Sequence, residues 1–184
     1  EWNRGSFDTY NNELLQLEKL REEALRTGDT VYIPLYKFMR SFHYYELTLR
    51  FGDIPYSDAL KGQSEGNYNP KYDTQEEVFA GILNELAEAD EELAASPDAD
   101  VIEGDIIYGG DKMKWRRLIN SFRLKVLLTL SHKSTVGGID VRQEFARVAQ
   151  LPLMESNADN GQLAYLDQEG NRYPQFNAQW SGYY

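Results

Sequence analysis

Apolar residues recur every three or four positions through most of the first 150 residues of this 184-residue chain, a spacing typical of amphipathic helices. The pattern predicts five helices, over about residues 7–27, 31–51, 74–95, 111–131 and 141–151. Only a few residues separate the first two helices, so we expect them to pack as an antiparallel pair. The chain is therefore predicted to be all-α.

The same spacing predicts which side of each longer helix is buried. In the second helix the predicted apolar stripe is Leu35, Phe38, Phe42, Tyr45 and Leu49. In the third it is Val78, Ile82, Leu86, Ala89 and Leu93. In the fourth it is Trp115, Leu118, Phe122, Leu127 and Leu130.

Short-range signals mark the predicted helix ends. Ser6 or Asp8 is a suitable N-cap for the first helix, and Gly28 is a suitable end because glycine tolerates the left-handed conformation. Thr74 and Glu77 form a capping box, in which each side chain binds the backbone N–H of the other residue. A helix is therefore predicted to begin immediately after Thr74.

Two long stretches and the C-terminal end lack the helical spacing. Glycine and proline punctuate residues 52–73, and residues 98–110 are a second predicted loop. Residues 154–184 scatter Gly, Asn and Pro among aromatic residues, which predicts a loop with at most a short strand or helix. Loops longer than about 12–15 residues usually carry function, so residues 52–73 are expected to do so or to cover another part of the molecule.

The charge balance restricts the partners that this chain can bind. Its formal net charge is −11, which argues against nucleic acid because phosphate binding needs a basic surface. Residues 74–105 hold eleven acidic residues and no basic one, whereas residues 112–147 hold nine basic and two acidic residues. We expect the acidic helix to lie beside the basic one; a basic nucleic-acid surface on residues 112–147 is the alternative.

No catalytic motif is recognisable. The chain has no cysteine, and its two histidines, His43 and His132, are isolated from each other. Segments starting at Asp98 and at Asn157 begin like calcium-binding loops but lack the required glycine or the final glutamate, so only an adventitious calcium site is left open. A hydrolase is disfavoured, and no cofactor or metal is predicted.

Four segments occur in a specific order and spacing: FGDIPY at 51–56, PKYDTQEEV at 70–78, GD at 104–105 with YGGD at 108–111, and KW at 114–115 followed by NSFRL at 120–124. With these segments the chain resembles the SusD/RagB family, the outer-membrane nutrient-binding lipoproteins of Bacteroidetes. The residues that carry the resemblance are expected to have structural roles. They are Gly52, Asp53, Pro55, Thr74, Asp111, Trp115 and Asn120.

Local physical chemistry supports those roles. Gly52 can end a helix with a positive φ, and Pro55 forces Ile54 to be extended. Asp53 can accept hydrogen bonds from nearby N–H groups. Asp111 is a suitable N-cap, and Asn120 is expected to tie a neighbouring loop to its helix.

The resemblance implies an α superhelix of tetratricopeptide-like helical pairs with long irregular loops, although the tetratricopeptide consensus spacing is not present. It implies a surface-exposed lipoprotein of the outer membrane that captures glycans or other nutrients without catalysis and delivers them to a SusC-like TonB-dependent transporter. Residues 1–151 are expected to form the helical scaffold. Residues 152–184 are expected to lead into a C-terminal ligand-binding part, which, like the lipid anchor, is expected outside these residues.

Tyrosine pairs an apolar face with a polar tip and therefore suits sugar stacking as well as core packing. The candidate ligand-binding residues are Tyr68, Tyr173, Trp180, Tyr183 and Tyr184. Packing is the alternative role for each of them. The alternative for the whole chain is a structural helical-repeat domain that binds a protein and no small molecule.

Overall fold

The computed structural model describes residues 8–168 and residue 172, and the described part is mostly helical. The α-helices are α1 (Glu13–Thr27), α2 (Ile33–Phe51), α3 (Gly62–Glu65), α4 (Gln75–Ala95), α5 (Lys112–Thr129) and α6 (Val141–Val148). Two short strands, β1 (Thr135–Val136) and β2 (Ile139–Asp140), pair in antiparallel register. The all-α prediction is confirmed.

The predicted end of α1 is confirmed, but its predicted start is wrong. Gly28 follows α1 with a φ of 83°, and its N–H donates to the carbonyl of Ala24. At the other end Asn12 is the N-cap, and its side chain makes no capping bond. Asp8 instead begins a separate short 3-10 helix (Asp8–Tyr10), because the amides of Asn11 and Asn12 both bind the Asp8 carbonyl. Ser6 lies outside the described residues.

Helix α2 lies at the centre of the fold, where it packs against α1, α4 and α5. Leu35, Phe38 and Tyr45 are buried as predicted, but Phe42 and Leu49 are 40% and 46% exposed. The predicted stripe is wrong at these two positions because α2 has neighbours on more than one side. Its buried surface is correspondingly wider, and the further buried residues of its middle and C-terminal half are Ser41, Tyr44, Leu47 and Thr48.

Helices α4 and α5 pack against each other and complete the core. All five apolar residues predicted to face inward from α4 are buried, and so are those predicted from α5 except Leu118, which is half-buried. Arg116 Nε of α5 lies 2.7 Å from Asp90 Oδ1 of α4. The prediction that the acidic helix lies beside the basic helix is therefore confirmed.

A small hairpin between α5 and α6 was not predicted from the sequence. Gly137 and Gly138 connect β1 to β2 with φ values of 54° and 84°, the combination that a two-residue type I′ turn requires. Gly137 packs directly on the side chain of Ala80 in α4, so there is no room for a Cβ at this position. Helix α6 follows and ends at Val148, three residues earlier than predicted.

Residues 149–168 contain a 3-10 helix, Asn157–Asp159, within otherwise irregular chain. Asp159 accepts from the backbone N–H groups of Glu155 and Ser156 and from Arg117, so its carboxylate holds this short helix and α5 together. Across the described residues, no group of three or more acidic or histidine side chains is placed to hold a metal ion. Each helix in that part of the chain is also too short or too polar to cross a bilayer.

Candidate ligand-binding site

The loop of residues 52–73 is closed at its base by a pair of backbone hydrogen bonds. Gly52 ends α2 with a φ of 74°, and Pro55 holds Ile54 in an extended conformation. The Ile54 N–H donates to the Asp73 carbonyl at 3.2 Å, and the Asp73 N–H donates back at 3.0 Å. Residues 55–72 therefore form a lobe whose two ends are fixed beside α2 and α4.

Capping interactions join this base to the first turn of α4. Asp53 Oδ1 accepts from the backbone N–H of Gln75 at 2.9 Å. Thr74 is the N-cap, and the predicted capping box with Glu77 is present in both directions. The motif residues at the base of the loop thus satisfy helix-end amides that would otherwise lack partners.

Asp73 connects the two sides of the loop through its carboxylate. It accepts from the N–H of Tyr56 at 3.1 Å, from the N–H of Ser57 at 2.7 Å and from Lys71 Nζ at 2.9 Å. Burial by itself raises the pKa of Asp73, but the hydrogen bonds from Ser57, Lys71 and Tyr56 outweigh it and lower the pKa to about 2. This role was not predicted, although Asp73 lies within one of the motif segments.

Tyr56 of the loop packs on an ion pair between α2 and α4. Arg40 is paired with Glu85, and Tyr56 donates through its hydroxyl to the same carboxylate at 2.8 Å. The Arg40 guanidinium also lies 4.5 Å from the centre of the Tyr56 ring. Burial raises the pKa of Glu85 and outweighs the opposing effect of Arg40. The Tyr56 ring lies directly on Gly81, where a Cβ would overlap it.

Tyr68 is the most exposed large hydrophobic residue of the described chain, with 78% of its surface accessible. Its ring lies against Gly62 of α3, so close that a Cβ at Gly62 would be 3.0 Å from two ring carbons. Nearby in sequence, Asn67 donates to Asp58 at 2.6 Å and accepts from the N–H of Asn69 at 3.1 Å. Tyr68 thus presents to solvent an aromatic ring that packs against Gly62. Tyr72 in the same loop is 63% exposed.

Tyr173, Trp180, Tyr183 and Tyr184 all lie outside the described residues. Their role in ligand binding stays a prediction, as does that of Tyr68.

The remaining motif residues organise the second loop. The Asp105 carboxylate accepts from the backbone N–H groups of Ile107 and Gly110 and, at 2.8 Å, from Trp115 Nε1. Asp111 is the N-cap of α5, as its position in the sequence predicts. Asn120 is fully buried and donates to the carbonyl of Pro152 at 3.2 Å, which ties the chain after α6 to α5.

A SusD-like family model, described as starch-binding and associating with the outer membrane, matches residues 1–182. A SusD homolog from Bacteroides fragilis NCTC 9343 is 63% identical with a TM-score of 0.88, and the match covers 100% of this chain and 39% of that protein. A Bacteroides vulgatus ATCC 8482 protein, provisionally described as a nutrient-binding outer membrane protein, is 54% identical with a TM-score of 0.85. That match covers 96% of this chain and 38% of the relative.

A chitin-binding protein is 28% identical with a TM-score of 0.70, and the match covers 84% of this chain and 32% of that protein. No curated protein matches. The chain thus spans about two fifths or less of these three solved structures. The match over almost its entire length shows that the chain belongs to the SusD-like family, a family of non-catalytic binding proteins.

Proposed function

We propose that this chain is the helical part of an outer-membrane protein that captures glycans and delivers them to a SusC-like TonB-dependent transporter. The starch-binding description of the family model and the chitin-binding relative support a glycan as the ligand. The B. vulgatus relative supports a place at the outer membrane. A lipid anchor and exposure at the cell surface belong to the same proposal.

The observation that carries the glycan proposal is the support beneath Tyr68. Because its ring lies against Gly62 while 78% of the residue is exposed, little conformational freedom is lost when a ligand stacks on it. The apolar face of a sugar ring can stack on the outer face of the tyrosine. The side-chain amide of Asn69, next to Tyr68 in the sequence, suits the sugar hydroxyls.

We also propose a division of roles along the chain. Residues 1–151 form the scaffold that holds the loop of residues 52–73, and residues 152–184 lead towards the part of the protein that completes the ligand-binding face. We infer that Tyr173, Trp180, Tyr183 and Tyr184 contribute to that face.

The glycan proposal is tested by calorimetric titration of the full-length protein with starch and chitin oligosaccharides. An aromatic contact contributes about 0.5–1.5 kcal/mol, so Tyr68→Ala is expected to weaken binding roughly two- to twelvefold. Tyr68→Phe keeps the ring and should bind like wild type, and Tyr165→Ala removes an exposed tyrosine outside the loop as a control. Failure of every oligosaccharide to bind, with peptides bound instead, would exclude a glycan ligand.

The transporter proposal needs a separate experiment. The wild-type protein is expected to co-purify with a TonB-dependent transporter from outer membranes. Replacing residues 58–70 by a glycine-serine linker keeps both clamped ends of the loop. Two results together would show that the loop is a protein-interaction surface. The variant would no longer co-purify with the transporter, and added transporter would not reduce ligand binding by the wild-type protein.

A further inference from the structure

An open groove lies where α1 ends, α2 begins and α4 ends. It consists of two adjoining hollows with volumes of about 430 Å³ and 340 Å³, and Thr30, Val31 and Asp100 line both of them. Each hollow is large enough to hold a bound group. All of the lining residues lie outside the loop of residues 52–73, so the groove is a separate surface.

Side chains hold the chain between α4 and α5, which forms the outer wall of the groove, in place. The Tyr32 hydroxyl donates to the Glu103 carbonyl at 3.2 Å and accepts from the Glu103 N–H at 3.0 Å. Lys112 Nζ donates to the Ser96 hydroxyl at 2.9 Å and to the Pro97 carbonyl at 2.6 Å. Because this wall is already ordered, little conformational entropy is lost when a partner binds in the groove.

The first hollow is mainly apolar. Its apolar lining consists of Leu25, Val31, Ile33, Pro34, Ala95 and Pro97. Leu25 is 55% exposed, and Val101, which lines the second hollow, is 60% exposed. An apolar side chain that covered these residues would remove their surface and its own from water, which favours binding.

Every charged residue that lines the groove is acidic. Glu92 lies in the first hollow, Asp29 and Glu103 lie in the second, and Asp100 lies in both. Glu92 is paired with Lys37 at 2.6 Å. Among the described residues, the other three carboxylates have no ion-pair partner.

The helix ends beside the groove add to this negative potential. α1 ends at Thr27 and α4 ends at Ala95, and the C-terminal end of a helix carries a partial negative charge. Lys112 is the cation beside the α4 end, and it is already bound to Ser96 and Pro97. A cationic group in the groove would therefore meet free carboxylates, whereas an anionic group would be repelled.

We propose that this groove docks an extended segment of a partner protein in which lysine or arginine alternates with apolar residues. Its apolar side chains pack on Leu25 and Val31, and its cations lie beside Asp29, Asp100 and Glu103. Two joined hollows suit successive side chains of one extended segment. This proposal goes beyond glycan capture and does not depend on it.

The proposal is tested by titrating the isotope-labelled full-length protein with a blocked heptapeptide of alternating lysine and leucine. Saturable shifts of the methyl signals of Leu25, Val31 and Ile33 are expected, and added sodium chloride should weaken binding because salt screens the charges. The same peptide with glutamate in place of lysine should cause no shift. Absence of shifts with the lysine peptide, or equal affinity for a peptide with glutamine in place of lysine, would overturn the proposal.

Two variants with matched controls localise the binding. Asp100→Lys reverses a charge shared by both hollows and should weaken binding of the lysine peptide roughly threefold or more. Asp167→Lys, at an exposed aspartate outside the groove, should bind like wild type. Leu25→Ala should also weaken binding, while Leu128→Ala, at a leucine that is 58% exposed on α5, should not. Equal losses in the variants and their controls would show unspecific attraction to an acidic protein and would refute the docking site.

Two other results would assign the groove to a different occupant and would also overturn the proposal. The same methyl shifts on concentrating the protein without peptide would indicate a second copy of the chain. Shifts with glucosamine oligosaccharides but not with the lysine peptide would indicate a cationic sugar. Failure of the docking proposal leaves the glycan proposal standing, because neutral oligosaccharides and Tyr68→Ala test that proposal separately.

Discussion

Replacing Asp73 by asparagine tests whether one carboxylate holds the base of the loop of residues 52–73. The side chain is 3% exposed and receives two backbone N–H groups, the Ser57 hydroxyl and Lys71. Asparagine has nearly the same shape but one acceptor oxygen instead of two, and its NH₂ group would face these donors. We therefore expect Asp73→Asn to keep the same fold but to lower its free energy of unfolding.

The pKa of Asp73 gives the size of the effect. It falls from an ordinary value of 3.8 to about 2, and each pKa unit corresponds to about 1.4 kcal/mol, so the ionised carboxylate stabilises the folded state by about 2 kcal/mol. Because the folded-state pKa is the lower one, this stabilisation is complete above about pH 4 and is lost as the pH falls towards 2. Asp73→Asn should therefore cost about 2 kcal/mol at pH 7 and almost nothing near pH 2.

The assay is urea unfolding of the wild type and the variant between pH 7 and pH 3, followed by circular dichroism. The difference in the free energy of unfolding between the two proteins is the quantity to compare, because other carboxylates destabilise both proteins in acid. Asp98→Asn, at an exposed aspartate between α4 and α5, serves as the control and should be close to wild type at every pH. A difference for Asp73→Asn that is below about 0.5 kcal/mol at pH 7, or that does not shrink with acid, would refute the reasoning.

Three further substitutions are expected to lower the free energy of unfolding, as measured by urea titration. Gly81→Ala should cost about 1–3 kcal/mol because its methyl group would overlap the Tyr56 ring; an unchanged midpoint would show that the ring moves freely. Trp115→Phe should cost about 1–3 kcal/mol because Asp105 loses its indole donor, and wild-type stability would contradict this role. Asn120→Ala should cost at least about 1 kcal/mol through the lost bond to the chain after α6; retention of full stability would argue that this bond is dispensable.

Local signals made two of the helix ends predictable. The Thr74–Glu77 box and the Gly28 terminator act within a few residues, so their spacing alone determines the hydrogen bonds that form. The buried face of α2 was only partly predictable, because Phe42 has the right spacing but the neighbouring helices determine which side is covered. The hairpin at Gly137–Gly138 was missed because strands of two residues are too short to show an alternating pattern.

The candidate site, too, was predictable only where it depends on residues close together in the sequence. Tyr68 was predicted from its residue type and its place in a long loop, yet Tyr44 and Tyr45 share that residue type and are buried in the core. What distinguishes Tyr68 from these two is that 78% of it is exposed while its ring also lies against Gly62, a combination that the order of residues does not reveal.

The ion pairs beneath the loop depend even more on contacts between distant residues. Arg40 meets Glu85 across 45 positions of the chain and Glu18 across 22, and neither pairing leaves a spacing pattern in the sequence. The Tyr56 carbonyl accepts from another nitrogen of the same guanidinium at 3.2 Å, which joins the loop to α2. A single sequence can therefore indicate where a long loop begins and ends, but the contacts that hold the loop against the helices depend on residues far apart in the chain.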